Sequence, residues 1–154
     1  MKRHPVLQDL SRDHFFALEQ GQRLRRARED NLAATADAFL QFWRGDMVHH
    51  FRQEEEVLIP MLARYRPSDD PAVVAVLVQH VDIARHAIDL ESGRRDLPAA
   101  HSLGDLIDRH VRHEESVLFP MIEAALSEEE LTDLGARLIA FDRAEGTDRG
   151  STSR

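Results

Sequence analysis

The stretches "HHFRQEEEVLIP" (residues 49–60) and "HVRHEESVLFP" (residues 110–120) repeat one pattern within a single chain. Each contains a histidine, a glutamate four residues later, a second glutamate, and a proline six residues after the first glutamate. Residues four apart on a helix project from the same face, and the neighbours on both faces are apolar. The pattern therefore predicts two polar pairs that point into a helical core. The two pairs are His50 with Glu54 and His110 with Glu114.

Apolar residues recur every three or four positions along most of the chain, which predicts long helices. The predicted helices extend from Pro5 to near Glu29, over 32–64, over 71–91 and over 98–125. A capping box from Ser127 to Glu130 predicts a shorter fifth helix. No stretch shows the alternation that is typical of strands. The sequence therefore predicts an all-α protein, an antiparallel up-down four-helix bundle with a short additional C-terminal helix.

The length and composition indicate one globular domain, predicted over residues 1–143, followed by a flexible C-terminal tail over 144–154. The formal net charge of −8 disfavours nucleic acid and anionic membranes as partners. The absence of cysteine excludes disulfides, thiolate catalysis and cysteine metal sites. We see neither a signal peptide nor an apolar run of membrane-spanning length, and we expect a cytoplasmic protein.

Pro60 and Pro120 fall inside the helical patterns at the same offset from a glutamate. A proline in the interior of a helix typically costs about 3 kcal/mol or more. One interpretation is a kink that curves the last turns over the end of the bundle. The other is that each proline ends its helix early, and the sequence leaves both open.

His14 and His80 lie on the apolar faces of the first and third helices, so each long helix points at least one imidazole inward. One buried pair could be an ion pair, whereas two indicate a shared polar centre, because buried charges are costly unless they are paired or metal-bound. Nitrogen and oxygen donors suit iron, manganese or zinc. Six donor residues are more than a four-coordinate structural zinc site needs. The number fits two metals that are bridged by the glutamates. The predicted ligands are His14, His50, Glu54, His80, His110 and Glu114.

Other polar residues beside the motifs are predicted to lie outside the ligand set. We interpret His49 as a flanking residue, whereas His113 is nearer the ligand face and is a candidate to support it. His86 is predicted to lie in solvent or on a rim. The acidic neighbours are predicted either to be exposed or to orient the imidazoles. These neighbours are Glu55, Glu56 and Glu115.

Together with "DHFFAL" (residues 13–18) and "QHVDIARH" (residues 79–86), the two motifs make the chain resemble the hemerythrin-like, or HHE cation-binding, domain family. The resemblance covers roughly positions 4–125. It implies a non-haem di-iron centre inside a four-helix bundle, with manganese or zinc less expected. The positions that match the family's ligands are the same six residues.

The third helix departs from the pattern of the oxygen-carrying members of this family. Those proteins have a second histidine four residues after the third-helix ligand, and this chain has Ala84 there. The resemblance therefore implies an iron with an open position, unless His49, His86 or a displaced carboxylate fills it. This departure argues against simple reversible oxygen carriage.

The leading functional hypothesis is storage or sensing of O2 or NO at the open iron position, where the metal performs the chemistry. The second hypothesis is a di-iron enzyme acting on peroxide or ferrous iron, and the third is a structural bundle or interaction module without metal. Binding is favoured over turnover, and whether the protein is an enzyme is left open. The expected partner is the diatomic ligand, and a homodimer or an unknown protein partner is also considered.

Overall fold

The structure is a computed structural model that describes residues 2–146. Within these residues all regular structure is helical, without a strand, and this confirms the predicted all-α class. A 3-10 turn at Pro5–Leu7 precedes five helices. The predicted tail over 144–154 falls outside the described residues from position 147 onward, and the domain boundary stays a prediction. The helices are α1 (Gln8–Arg25), α2 (residues 32–62), α3 (Pro71–Glu91), α4 (residues 97–125) and α5 (Glu128–Ala144).

Two of the long helices are interrupted by π turns, which widen the helix by one residue per turn. Helix α2 has two such turns and α4 has one, and two of the three begin at a predicted ligand glutamate. The segments of α2 are Leu32–Phe42, the π turn Trp43–Met47, Val48–Gln53, the π turn Glu54–Leu58, and Ile59–Leu62. Those of α4 are Leu97–His113, the π turn Glu114–Leu118, and Phe119–Ala125.

The π turns explain how both helices tolerate their prolines. Proline lacks an amide hydrogen, and its ring collides with the carbonyl four residues earlier in a regular α-helix. In each motif, the amide just before the proline donates instead to the carbonyl of the ligand glutamate, five residues back. The helices continue beyond the prolines, so the interpretation that each proline ends its helix is wrong. The two bonds join Ile59 to Glu54 and Phe119 to Glu114.

The helix ends follow local capping chemistry. The predicted extension of the first helix to Glu29 is wrong, because the side-chain oxygen of Asn31 accepts the amide of Arg28 at 2.8 Å and holds a turn there. The range predicted for α3 agrees with the structure, where Asp70 caps the helix by accepting the amide of Ala72. The capping box that opens α5 at Ser127 is present as predicted.

Pairs of contacts give the relative directions of the helices. Along α1 and α4, His14 lies beside Glu114, whereas Arg25 lies beside Asp105, so these two helices run in opposite directions. Helices α2 and α3 also run in opposite directions. Glu91 at the end of α3 contacts Arg44 of α2, whereas His80 in the middle of α3 contacts Glu55, which comes later in α2. None of the described helices is long and apolar enough to cross a membrane.

The buried apolar residues form two clusters, and the predicted ligands separate them on every long helix. The first cluster contains residues such as Leu24, Phe39 and Ile107. The second contains residues such as Leu7, Leu62 and Ile122. The core is therefore two apolar halves with a polar layer between them.

We expect Gly104→Ala to destabilise the contact between α1 and α4. A Cβ at Gly104 would lie 2.5 Å from the carbonyl oxygen of Gly21 and 2.9 Å from the amide nitrogen of Arg25. Because the backbone must move, we expect a loss of about 1–3 kcal/mol in the free energy of unfolding. The measurement is urea denaturation of the metal-free protein.

Gly45→Ala is the matched control for this substitution. Nothing lies within 4 Å of a Cβ at Gly45, which is exposed in a helical turn. The alanine is therefore expected to stabilise the helix by about 0.5–1 kcal/mol. Equal effects of the two substitutions would contradict the close approach of α1 and α4.

Candidate metal centre

The six predicted ligands converge on one buried layer, although they come from four helices. Two groups of donor atoms arise, and the two glutamates belong to both. Within each group, one donor atom from every residue lies within 4.8 Å of the others. The first group consists of His14, His50, Glu54 and Glu114. The second group consists of His80, His110, Glu54 and Glu114.

Each glutamate gives one oxygen to each group. Glu54 places Oε1 3.1 Å from Nε2 of His50 and Oε2 3.2 Å from Nε2 of His80. The oxygens of the other glutamate divide in the same way. Glu114 places Oε2 2.9 Å from Nε2 of His14 and Oε1 3.2 Å from Nε2 of His110. This is the arrangement that two bridging carboxylates require.

The donor atoms fit a metal better than they fit each other. All six side chains are at most 4% exposed. Both oxygens of Glu54, both oxygens of Glu114, and Nε2 of the two histidines of the second group make no well-aligned hydrogen bond, although carboxylate and imidazole lie within ion-pair distance. A buried polar group without a partner costs about 1–3 kcal/mol, and more if it is charged. Metal ions between the carboxylates would satisfy these atoms.

Every ligand imidazole also has a partner at Nδ1, on the side away from the donor groups. A hydrogen bond from Nδ1–H fixes the ring and leaves the lone pair of Nε2 for a metal. Glu55 and Glu115 act in this way, which is one of the two alternatives that the sequence left open, whereas Asp13 and Gln79 were missed. The four contacts are His14 with Glu115 at 2.6 Å, His50 with Asp13 at 3.1 Å, His80 with Glu55 at 2.8 Å, and His110 with Gln79 at 3.0 Å.

These partners explain why each motif has two consecutive glutamates. The first glutamate of a motif enters both donor groups, and the second holds a histidine of another helix. The two missed residues are adjacent to ligands as well, since Asp13 precedes His14 and Gln79 precedes His80. Their position next to a predicted ligand histidine was the one available signal in the sequence. It does not reveal that each contacts the imidazole of a different helix.

The remaining histidines near the motifs lie outside both donor groups. His49 is buried rather than flanking, and its Nε2 lies 2.6 Å from a carboxylate oxygen of Asp142 on α5. His113 contacts the carbonyl of Ala72 at 3.0 Å and does not support the ligands. His86 is half-buried beside Arg85.

Of the acidic neighbours, Glu56 is exposed and pairs with Arg52. Neither His49 nor His86 belongs to a donor group, so neither replaces the histidine that is missing at Ala84. Each group thus has two imidazoles and two carboxylate oxygens.

The buried carboxylates control the protonation of the histidines when no metal is bound. Burial by itself lowers the pKa of His50, but Glu54 and Asp13 outweigh burial and raise the pKa to about 10. For His80, burial is likewise outweighed by Glu114 and Glu54, and the pKa rises to about 11. Burial dominates at His110 and lowers its pKa to about 4. At His14, burial is again outweighed, here by Glu114 and Glu115, and its pKa is raised. Protons on these histidines with raised pKa values therefore balance the carboxylates in the metal-free protein.

A family model, the hemerythrin HHE cation binding domain, matches residues 6–122, which include all six predicted ligands. The chain belongs to the hemerythrin HHE cation-binding family. Domains of this family bind metal cations, typically iron. Comparison with curated proteins and with solved structures gives no match.

We expect metal binding to release protons, because a histidine must be neutral to coordinate a metal. At pH 7, His50 and His80 are protonated in the metal-free protein, since their pKa values are about 10 and 11. Saturation with Zn²⁺ should therefore release at least about two protons per chain, and His14, whose pKa is also raised, adds to that number. The apparent affinity should fall by up to about tenfold per displaced proton for each unit of decrease in pH.

Calorimetric titration in two buffers of different ionisation enthalpy measures this proton release. His86→Ala is the control, because this half-buried histidine lies outside the donor groups and its loss should not change the proton count. Zinc binding that releases no proton would contradict the protonation of His50 and His80.

Proposed function

We propose that this protein holds two iron ions and binds O2 or NO at an open iron position, for storage or sensing. The observation that carries the proposal is the pair of donor groups that share both Glu54 and Glu114. Each group offers only two histidines besides the shared carboxylates. Combinations of two histidines with carboxylate oxygens are typical of non-haem iron sites that keep positions open for a ligand.

The proposal includes the bundle topology. The opposite directions of α1 and α4, and of α2 and α3, support an antiparallel up-down four-helix bundle. In such a bundle, sites are built from inward side chains on facing helices. The fifth helix packs outside this set, where Asp142 contacts His49 of α2.

Iron is the metal that we propose, and manganese or zinc is less expected. The donors are imidazole nitrogens and carboxylate oxygens, which all three metals accept. Membership in a cation-binding family that typically holds iron decides the preference. When bound, iron supplies an exchangeable coordination position and the electrons for O2 or NO.

The side chains around the donors favour a small ligand. A cavity of about 10 Å³ lies beside His14, His50 and His110. That volume is about the minimum that admits one water molecule. Its walls combine apolar side chains with the side chains of Asp13 and Asp46, and the volume suits a small ligand. The apolar wall residues are Ala17, Phe42, Met47, Phe51 and Val111.

A di-iron enzyme acting on peroxide or ferrous iron is the second candidate, because open coordination also permits chemistry at the metal. A structural module without metal is disfavoured by the buried donor atoms that make no well-aligned hydrogen bond. A cytoplasmic location and a homodimer or other protein partner stay predictions.

The first experiment purifies the protein from iron-supplemented cells, measures iron per chain, and records absorbance through anaerobic reduction and exposure to O2 or NO. We expect close to two irons per chain and an absorption band that bleaches on reduction and returns with the ligand. An iron-loaded protein whose absorbance is indifferent to O2, NO and peroxide would overturn the proposal. Steady-state peroxide consumption would favour the enzyme.

Glu54→Gln tests the shared carboxylates. The change keeps the shape of the side chain but removes one charged ligand from both donor groups. We expect the affinity for both metals to fall by about tenfold or more, because the loss of a residue that only holds a ligand by a hydrogen bond already lowers metal affinity by that factor. Metal retained after dialysis against a chelator measures the effect.

Glu56→Gln is the matched control, since this neighbouring glutamate is exposed and lies outside the donor groups. It should retain as much metal as the unmodified protein. Thermal unfolding with and without metal gives an independent test, because bound metal stabilises the folded state by mass action. Identical midpoints would support the structural module instead.

A further inference from the structure

The metal centre is built from two similar halves of the chain. In the first half, α1 contributes Asp13-His14 and α2 contributes the first His-x-x-x-Glu-Glu motif. In the second half, α3 contributes Gln79-His80 and α4 contributes the second motif. The contacts at Nδ1 follow the same correspondence, because the second glutamate of each motif holds the histidine that comes from the other half.

The correspondence is broken at one pair of residues. Asp13 presents a carboxylate to His50, whereas Gln79 presents a neutral amide to His110 at the equivalent place. Both imidazoles of the first group are therefore held by carboxylates. The second group has one imidazole held by a carboxylate and one held by an amide.

One nearby cation, Arg3, lies beside the first group. Arg3 contacts Glu115, which holds His14, and so offsets part of the negative charge beside the first group. The same guanidinium also contacts Glu123 at 2.7 Å, so it is shared between two carboxylates. The direct partners at Nδ1 remain two carboxylates in the first group and one carboxylate, Glu55, in the second.

A carboxylate at Nδ1–H makes an imidazole a stronger metal ligand than an amide does, because it polarises the ring toward the metal. Loss of such a partner typically lowers metal affinity by about 10- to 100-fold. The amide at His110 should therefore weaken one of the two positions selectively, although both have the same numbers of nitrogen and oxygen donors.

We propose that Gln79 is a positioning residue that makes the two metal positions unequal, so that the second group fills last and empties first. This inference rests on the two-metal part of the proposed function and does not depend on O2 or NO. It assigns the exchangeable metal to the position of His80 and His110. The firmly held metal is assigned to the position of His14 and His50.

The test loads the metal-free full chain with one equivalent of Zn²⁺ and locates the ion by anomalous scattering in crystals. Two cations that share carboxylates repel each other, so stepwise binding alone would not distinguish the positions. We expect the single zinc at His14 and His50, with the second equivalent binding about 10- to 100-fold more weakly.

Variants that exchange an amide and a carboxylate of the same size should then change the order in which the two positions fill. Gln79→Glu should tighten the second step, and Asp13→Asn should weaken the first. The double variant, in which His50 is held by an amide and His110 by a carboxylate, should move the first zinc to His80 and His110. Asp13→Glu keeps the charge and should keep the original order. A merely structural role for these residues would not reverse the order of filling.

The possible outcomes separate this inference from the proposed function. A first zinc at His80 and His110 in the unmodified protein, or an order that the double variant leaves unchanged, would overturn the inference alone. A chain that binds no metal would overturn both. Circular dichroism of each metal-free variant verifies folding, and if one single variant does not fold, the other tests the same difference.

Discussion

The constraint on which the structure depends is the complete burial of two carboxylates, Glu54 and Glu114, at the centre of an otherwise apolar core. Charges at such a depth are tolerated only when opposite charges or metal ions surround them. Without metal, His50 and His80 meet this requirement as imidazolium ions, since their pKa values are raised to about 10 and 11. The same six residues therefore form both the polar layer of the fold and the two donor groups.

This polar layer also organises the helices. Each long helix contributes apolar residues to the clusters on both sides of the layer and at least one predicted ligand within it. A helix that slid along its neighbour would move a histidine into an apolar half and leave a carboxylate without a partner. The outer hydrogen bonds to Nδ1 add a second restraint, because each joins residues of two different helices. The position of every helix is thus fixed by directional contacts as well as by packing.

Much of this arrangement was predictable from the sequence, since four-residue spacing places a histidine and a glutamate on one helical face. The capping residues Asp70 and Ser127 likewise predicted helix starts, because a cap is a local interaction. The partners Asp13 and Gln79 were not predictable, since each holds a histidine on a helix far away in the sequence. The burial of His49 depends on where α5 packs, and the sequence left that open.

The π turns also escaped prediction, although their position now has a physical reason. Two of them start at the ligand glutamates and end just before the residues that precede the prolines. A regular α-helix would collide there with the proline ring, so the wider turn and the proline belong together. The proline restricts the helix to this geometry directly after the ligand, where an extra residue per turn changes which side chains face the core.

The aromatic residues of the motifs complete the separation of the centre from solvent. Phe51, next to His50, stacks on the ring of His80 with centroids 3.7 Å apart. Phe119, next to Pro120, stacks on His14 at 5.2 Å. One aromatic ring thus covers an imidazole of each donor group, and the remaining space beside the donors is close to the size of a single water molecule. A bulky molecule would have to displace these rings to reach the donor atoms, whereas a molecule of about the size of water would not. The packing around the centre therefore limits the size of the molecules that can reach the donor atoms.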